Sequence, residues 1–135
     1  MSSTPLHELL RYRMEQAYES LRDANTLFAT NSLRGAINRA YYAMFYALLA
    51  LIATKRLGSS KHSGAIASFD REFVKTGIFP RDLSKALHLA FDRRQVHDYG
   101  ELIAVDDDVV EQALQDADKF VATVETYLRE LGYPL

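Results

Sequence analysis

Residues 40–53 read AYYAMFYALLALIA, fourteen residues without a charge. As a helix this run is apolar all round, so neighbours must cover it on several sides. It falls short of the roughly 18–20 apolar residues that span a bilayer. The expectation is a buried helix at the centre of a helical bundle, with no membrane role. Whatever else the chain does, it must supply amphipathic segments to enclose this one.

Those segments are present. From about residue 6 to 29, Leu6, Leu10, Met14, Ala17, Leu21, Ala24 and Phe28 recur every three or four residues, and Glu8, Arg11, Glu15, Glu19, Arg22 and Asp23 take the other face. Asn31 and Ser32 break this helix, and either can cap the next. The second helix, about 33–56, contains the apolar run and stops at Arg56-Leu57-Gly58. The third begins near Ser59-Ser60, includes Ile66, Phe69, Phe73 and Val74, and closes at Thr76-Gly77. The fourth opens at Pro80 and aligns Leu83, Leu87, Ala90, Phe91 and Arg94 on one face, with Gly100 ending or kinking it. The fifth is announced by Asp106-Asp107-Asp108, a set of anionic capping residues. Its stripe is Val110, Ala113, Ala117, Phe120, Val124, Tyr127 and Leu131, and Gly132-Tyr133-Pro134 stops it. No window alternates as a half-buried strand does. The expected fold is all-α, an antiparallel helical bundle of four long helices plus one short helix, in a single domain over residues 1–135.

Composition removes several chemistries. With no Cys there is no disulfide, thiolate metal site or cysteine nucleophile. The 16 Lys and Arg against 18 Asp and Glu leave a formal net charge of −2, which excludes coating nucleic acid by charge alone but allows a local basic site. Residues 1–5 show no basic segment ahead of an apolar stretch, so no secretory signal is expected and the cytoplasm is the expected location. Helical bundles often hold metals through Glu-x-x-His pairs. Here the residues three before His7, His62, His88 and His97 are Thr4, Ser59, Lys85 and Arg94, so neither a metal nor another cofactor is expected. No Gly-rich phosphate loop is present.

The densest polar cluster is Asp92-Arg93-Arg94-Gln95-Val96-His97-Asp98-Tyr99. On a helix, Arg93 and Arg94 stand four and three residues from His97 and lie close to it. A guanidinium lowers the pKa of a neighbouring imidazole and favours a neutral base near pH 7. Its fork suits a phosphate, and Asp98 and Tyr99 add an acceptor and a phenol. In the second helix Tyr41, Tyr42 and Tyr46 read as core aromatics whose hydroxyls seek polar partners. Asn38 and Arg39, one turn before Tyr42, are the candidates to supply them.

At these residues the chain resembles the HEPN superfamily (higher eukaryotes and prokaryotes nucleotide-binding), over roughly residues 6–131. Three segments carry the resemblance: Asn38-Arg39-Ala40-Tyr41-Tyr42-Ala43-Met44-Phe45-Tyr46; Lys61-His62-Ser63-Gly64, followed by Phe69 and Phe73-Val74-Lys75-Thr76-Gly77; and Arg93-Arg94-Gln95-Val96-His97-Asp98-Tyr99-Gly100. It implies a bundle that dimerises and, for many members, a metal-independent ribonuclease acting as a toxin. The family signature is an Arg, four to six residues, then a His. By that alignment Arg93 and His97 are the matching pair, although only three residues separate them. Tyr99 would be the residue that a nucleotidyltransferase antitoxin modifies. A second alignment, on the Arg…Asp-Tyr-Gly of a bacterial and archaeal branch, selects Arg94, Asp98, Tyr99 and Gly100. The functions implied are an RNA endonuclease or a non-catalytic partner that binds a nucleotidyltransferase or a nucleotide. Arg93, Arg94 and His97 are the candidate catalytic residues. Asp98, Tyr99, Asn38, Arg39 and Tyr42 are the candidate supporting or modified ones. A plain structural bundle without a ligand is the third possibility.

Overall fold

A computed structural model describes residues 4–57, 61–99 and 105–135, and of residues 96–99 it describes the backbone alone. Every regular element among these residues is helical. The elements are α1 (Pro5–Ala29), α2 (Leu33–Thr54), α3 (His62–Phe69), a π-turn (Asp70–Val74), α4 (Arg81–Tyr99) and α5 (Asp107–Glu130). Four of these helices are long and one, α3, has 8 residues, as the periodicity implied.

Local chemistry sets the ends. The Thr4 side chain caps α1 by accepting from the His7 N–H at 3.1 Å, and Pro5 takes the first helical position, where its missing N–H costs nothing. Asp106 caps α5 in the same way, accepting from the Val109 N–H at 2.9 Å, with Asp107 and Asp108 in the favourable first turn. Ser32 stands at the N-cap of α2 but makes no side-chain cap bond. The preceding Asn31 turns the chain instead, in a left-handed conformation (φ 61°). The Asn31 N–H bonds Phe28 O at 3.0 Å and the Ser32 N–H bonds Leu27 O at 2.7 Å, which satisfies the last carbonyls of α1.

Helix α2 ends earlier than its sequence implied, at Thr54, and Arg56 is in the left-handed conformation (φ 56°). Gly58 lies outside the described residues. The Arg56 N–H bonds Ala53 O at 3.0 Å and the Leu57 N–H bonds Ile52 O at 3.1 Å, while Leu57 packs against the core. Burial of Leu57 fixes the stop, and Arg56 carries the strain of a non-glycine residue there, about 1–2 kcal/mol.

Helix α2 touches α1, α3, α4 and α5. It buries Ala36, Ile37, Ala40, Tyr41, Ala43, Met44, Phe45, Ala47, Leu48, Ala50, Leu51 and Ile52. The whole helix, longer than the apolar run alone, is long and apolar enough to cross a membrane, but 67% of its most apolar window is buried inside the bundle. It is a core helix. Gly35 lies inside its first turn, where an added Cβ would meet Leu27 Cδ1 at 3.2 Å, so a glycine there permits close approach to α1. Opposite, α5 buries Val110, Ala113, Leu114, Ala117, Phe120, Val121, Val124 and Leu128. Leu131, placed on that stripe by spacing, lies past the helix end and is 51% exposed. The Tyr18 hydroxyl donates to Glu125 and ties α1 to α5. Burial and that carboxylate push the phenol up to about 12.

The third segment is not one continuous α-helix. After α3 the chain widens into the π-turn, closed by Lys75 N–H to Asp70 O at 2.8 Å, five residues back. Phe69 and Phe73 remain buried on either side of the junction, with ring centroids 6.1 Å apart. Phe79 joins them at 5.8 and 5.9 Å, and Phe120 of α5 meets Phe69 at 5.4 Å. This aromatic cluster fills one region of the core, and a second gathers around Tyr41.

Candidate functional site

Tyr41, Tyr42 and Phe45 occupy neighbouring turns of α2. His62 opens α3, and Arg94 ends the apolar stripe of α4 formed by Leu87 and Phe91. These residues meet. The Tyr41 ring is fully buried, with Phe91 at 6.0 Å, and its hydroxyl lies 2.7 Å from His62 Nδ1. The imidazole stacks on Phe45 at 4.0 Å with 14° between planes, and meets Tyr42 edge-on at 5.7 Å. The Arg94 guanidinium carbon stands 5.6 Å from the Tyr41 ring centroid and 5.5 Å from that of Tyr42. The Arg39 guanidinium lies over Tyr42 at 4.7 Å. Two cations thus share one half-buried phenol ring, each contact worth about 0.5–2 kcal/mol according to its desolvation.

Electrostatics decides where the protons are. Burial pushes the Tyr41 hydroxyl far above the ordinary phenol range, although the Arg94 charge opposes this. Tyr41 therefore stays protonated, and its hydroxyl shares a hydrogen bond with His62 Nδ1. When the hydroxyl donates, the proton of a neutral imidazole sits on Nε2, and when Nδ1–H donates to the hydroxyl, Nε2 is the free acceptor. His62 itself is shifted below its ordinary 6.5, first by burial and then by the nearby Arg94 charge. Near pH 7 the cluster therefore offers a permanent guanidinium and a neutral imidazole.

That shift makes a testable statement about stability. The unfolded chain takes up the His62 proton at a higher pH than the folded one. Stability is therefore complete above about pH 6.5 and falls as pH drops through the lower folded value. Thermal melts from about pH 7 to about pH 5.5 should show a steeper fall in Tm for wild type than for His62→Gln. Parallel falls would contradict the assignment.

The residues singled out from sequence separate here. Arg94 joins the cluster, whereas Arg93, one residue and about 100° round the helix, is half-buried elsewhere. The side chains of His97, Asp98 and Tyr99 lie outside the described residues, although the helix backbone continues through them. Asn38 and Arg39 do not take the buried tyrosine hydroxyl. Arg39 Nε and one terminal nitrogen reach Asn38 Oδ1 at 3.1 and 2.8 Å, and the guanidinium covers the face of Tyr42. The hydroxyl partner of Tyr41 is His62, a residue of the Lys61–Gly64 segment that sequence reasoning does not select for the site. Periodicity could not have found it, because the side chain arrives from another helix. Among the described residues no three His, Asp or Glu side chains gather as metal ligands.

A family model for the HEPN domain matches residues 10–127. The chain belongs to the HEPN family. A UPF0332 protein of Thermotoga maritima is 39% identical over 124 residues, covering 92% of this chain and 94% of the relative. Two proteins of Methanocaldococcus jannaschii, each named as a candidate toxin, are also similar. One is 32% identical over 125 residues, 88% of this chain and 85% of its own. The other is 30% identical over 126 residues, 93% of each. This HEPN chain is toxin-like in its relationships, and the match takes in α2, α3 and α4, the three helices that build the Arg94 cluster.

Proposed function

We propose that this HEPN protein is a toxin-type RNA endonuclease that works without a metal. The proposal places it in the cytoplasm, as a two-fold dimer held in check by a nucleotidyltransferase-type antitoxin for which Tyr99 is the modified residue. The observation that supports it best is the Arg94 guanidinium held by Tyr41 and Tyr42 beside a neutral His62. In the proposed reaction the ribose 2′-hydroxyl attacks the adjacent phosphorus while a base takes its proton. The bond from phosphorus to the 5′-oxygen breaks, and an acid protonates that oxygen. The products are a 2′,3′-cyclic phosphate and a 5′-hydroxyl. Arg94 stabilises the charge that develops on the phosphoryl oxygens, and His62 Nε2–H orients the same group. His97, three residues after Arg94, is the proposed proton carrier, a role worth about 10²–10⁴-fold.

The test is incubation of purified wild-type and His97→Ala protein, without divalent ions, with an RNA and with its 2′-deoxy counterpart. The expected result is a cyclic-phosphate product from RNA alone, lost in the variant. Equal cutting of both strands, or full activity in the variant, would refute the mechanism. One observation favours a second reading, binding without cutting. His62 Nδ1 is engaged by Tyr41, so with that hydroxyl donating, the imidazole beside Arg94 has no free lone pair with which to act as a base. RNA or nucleotide binding without a cyclic-phosphate product would establish that reading.

A further inference from the structure

Between the π-turn and the start of α4 the surface sinks into a depression of about 660 Å³, within the size range of ligand clefts. Arg71 and Lys75 line it from the π-turn side, Arg81 and Lys85 from α4. The two sides are joined by Ser84 Oγ, which donates to Asp70 Oδ1 at 2.5 Å. Four cationic side chains against one carboxylate line the depression, in a chain whose formal net charge is −2.

The carboxylate is already engaged, since the second oxygen of Asp70 lies 2.7 Å from His88 Nε2. Arg71 reaches Glu72 at 3.4 Å and Ser68 Oγ at 3.3 Å. Lys75, Arg81 and Lys85 are exposed and have no ion-pair partner among the described residues. Arg81 also stands in the first turn of α4, where the helix dipole disfavours a cation. Asp82 in the same turn answers that charge but does not line the depression. An anion held here would relieve both the mutual repulsion and the dipole. The wide π-turn contributes the geometry, because it turns Arg71 and Lys75 toward the same hollow.

The lining also says what kind of anion fits. It has no aromatic ring on which a base could stack, and its apolar part is two small side chains, too little to anchor a protein partner. What remains is charge with forked and pointed donors, which suits phosphate groups. We propose that this depression binds the phosphates of an RNA strand, as an anchoring site separate from the Arg94 cluster. It rests on the reading that RNA is what this protein acts on. Arg81 and Arg94 are thirteen residues apart on α4, about 20 Å along the helix axis. The anchor would therefore hold a stretch of strand several nucleotides from the one at the cluster, without reading its sequence.

The test uses the full chain and its double variant Arg81→Gln/Lys85→Gln, titrated against a fluorescein-labelled single-stranded RNA of about 20 nucleotides over a series of KCl concentrations. With circular dichroism and Tm unchanged, Kd should rise about tenfold. The slope of log K against log salt should fall by about 1.4, at 0.7 for each single-strand phosphate that is no longer neutralised. An unchanged Kd and slope in the folded double variant would overturn the proposal. So would tripolyphosphate binding that the double variant abolishes while RNA binding stays intact, which would make this a small-molecule site. Competition by polyglutamate as strong as by RNA would point to an acidic protein and overturn it too. Cleavage assays run alongside keep the two readings apart. RNA binding that falls in the double variant, with no cleavage by wild type, retains the anchor and removes the endonuclease. Full cleavage with unchanged binding does the reverse.

Discussion

Arg94→Ala is expected to slow RNA cleavage by about 10²–10³-fold, the range for removing one preorganised donor from a developing oxyanion. Arg94 reaches the cluster because it extends the apolar stripe of Leu87 and Phe91 by one further turn, and its guanidinium lies against Tyr41 and Tyr42. Two ring faces and a neighbouring imidazole limit the orientations it can take, and that restriction separates a catalytic guanidinium from a solvated one. Arg94→Lys should recover only part of the rate, since an ammonium keeps the charge but neither the fork nor the stacking. Initial rates and Tm need to be measured together. A role confined to packing would lower Tm for both variants and leave the rate of the remaining folded protein unchanged. Wild-type rates from folded Arg94→Ala would remove this residue from the mechanism.

The largest expected loss of stability is at Phe120. It is fully buried, its ring meets Phe69 at 5.4 Å, and the rings of Phe73 and Phe79 complete the cluster through Phe69. Truncation to Ala removes the buried ring and leaves a hole that rigid aromatic neighbours cannot refill, at a cost of about 3–5 kcal/mol. Set against a total of about 5–15 kcal/mol for a domain, this brings the protein close to unfolding. Urea titration at 25 °C should show the midpoint falling with the slope preserved. A loss below about 1 kcal/mol would mean that the cluster collapses into the space, contrary to the close packing of its rings.

How much of this was legible in the residues depended on whether the information was local. The stripes of α1 and α5 and the aspartates ahead of α5 were readable because period and cap chemistry lie within a few residues of each other. The π-turn was not, because Phe69 and Phe73 keep a spacing of four that serves the core in either helix type. The sequence places the end of α2 two residues too late, because nothing local to Arg56 signals that a non-glycine residue turns left-handed there while Leu57 packs against the core. The site divided the same way. Arg94 was visible as the polar end of an apolar stripe, and the choice between Arg93 and Arg94 reduces to 100° of helix rotation. His62 depended on a partner twenty-one residues away in the chain, with nothing in its own neighbourhood to signal it.

Helix α2, buried by four other helices, also bears on how the chain folds. A partly folded molecule that leaves these 22 mostly apolar residues uncovered exposes a surface able to aggregate or enter a membrane. Helix α1 is the cover nearest to hand. It precedes α2, packs along it more extensively than any other helix does, and is joined to it by residues 30–32 alone, the shortest loop to close. The hypothesis is that an α1–α2 hairpin forms first and the later helices dock onto it. Pulse-labelled hydrogen exchange during refolding should protect α1 and α2 amides ahead of those in α5, and the opposite order would exclude this route. On this account α1 acts as an internal chaperone for α2 before it becomes one wall of the bundle.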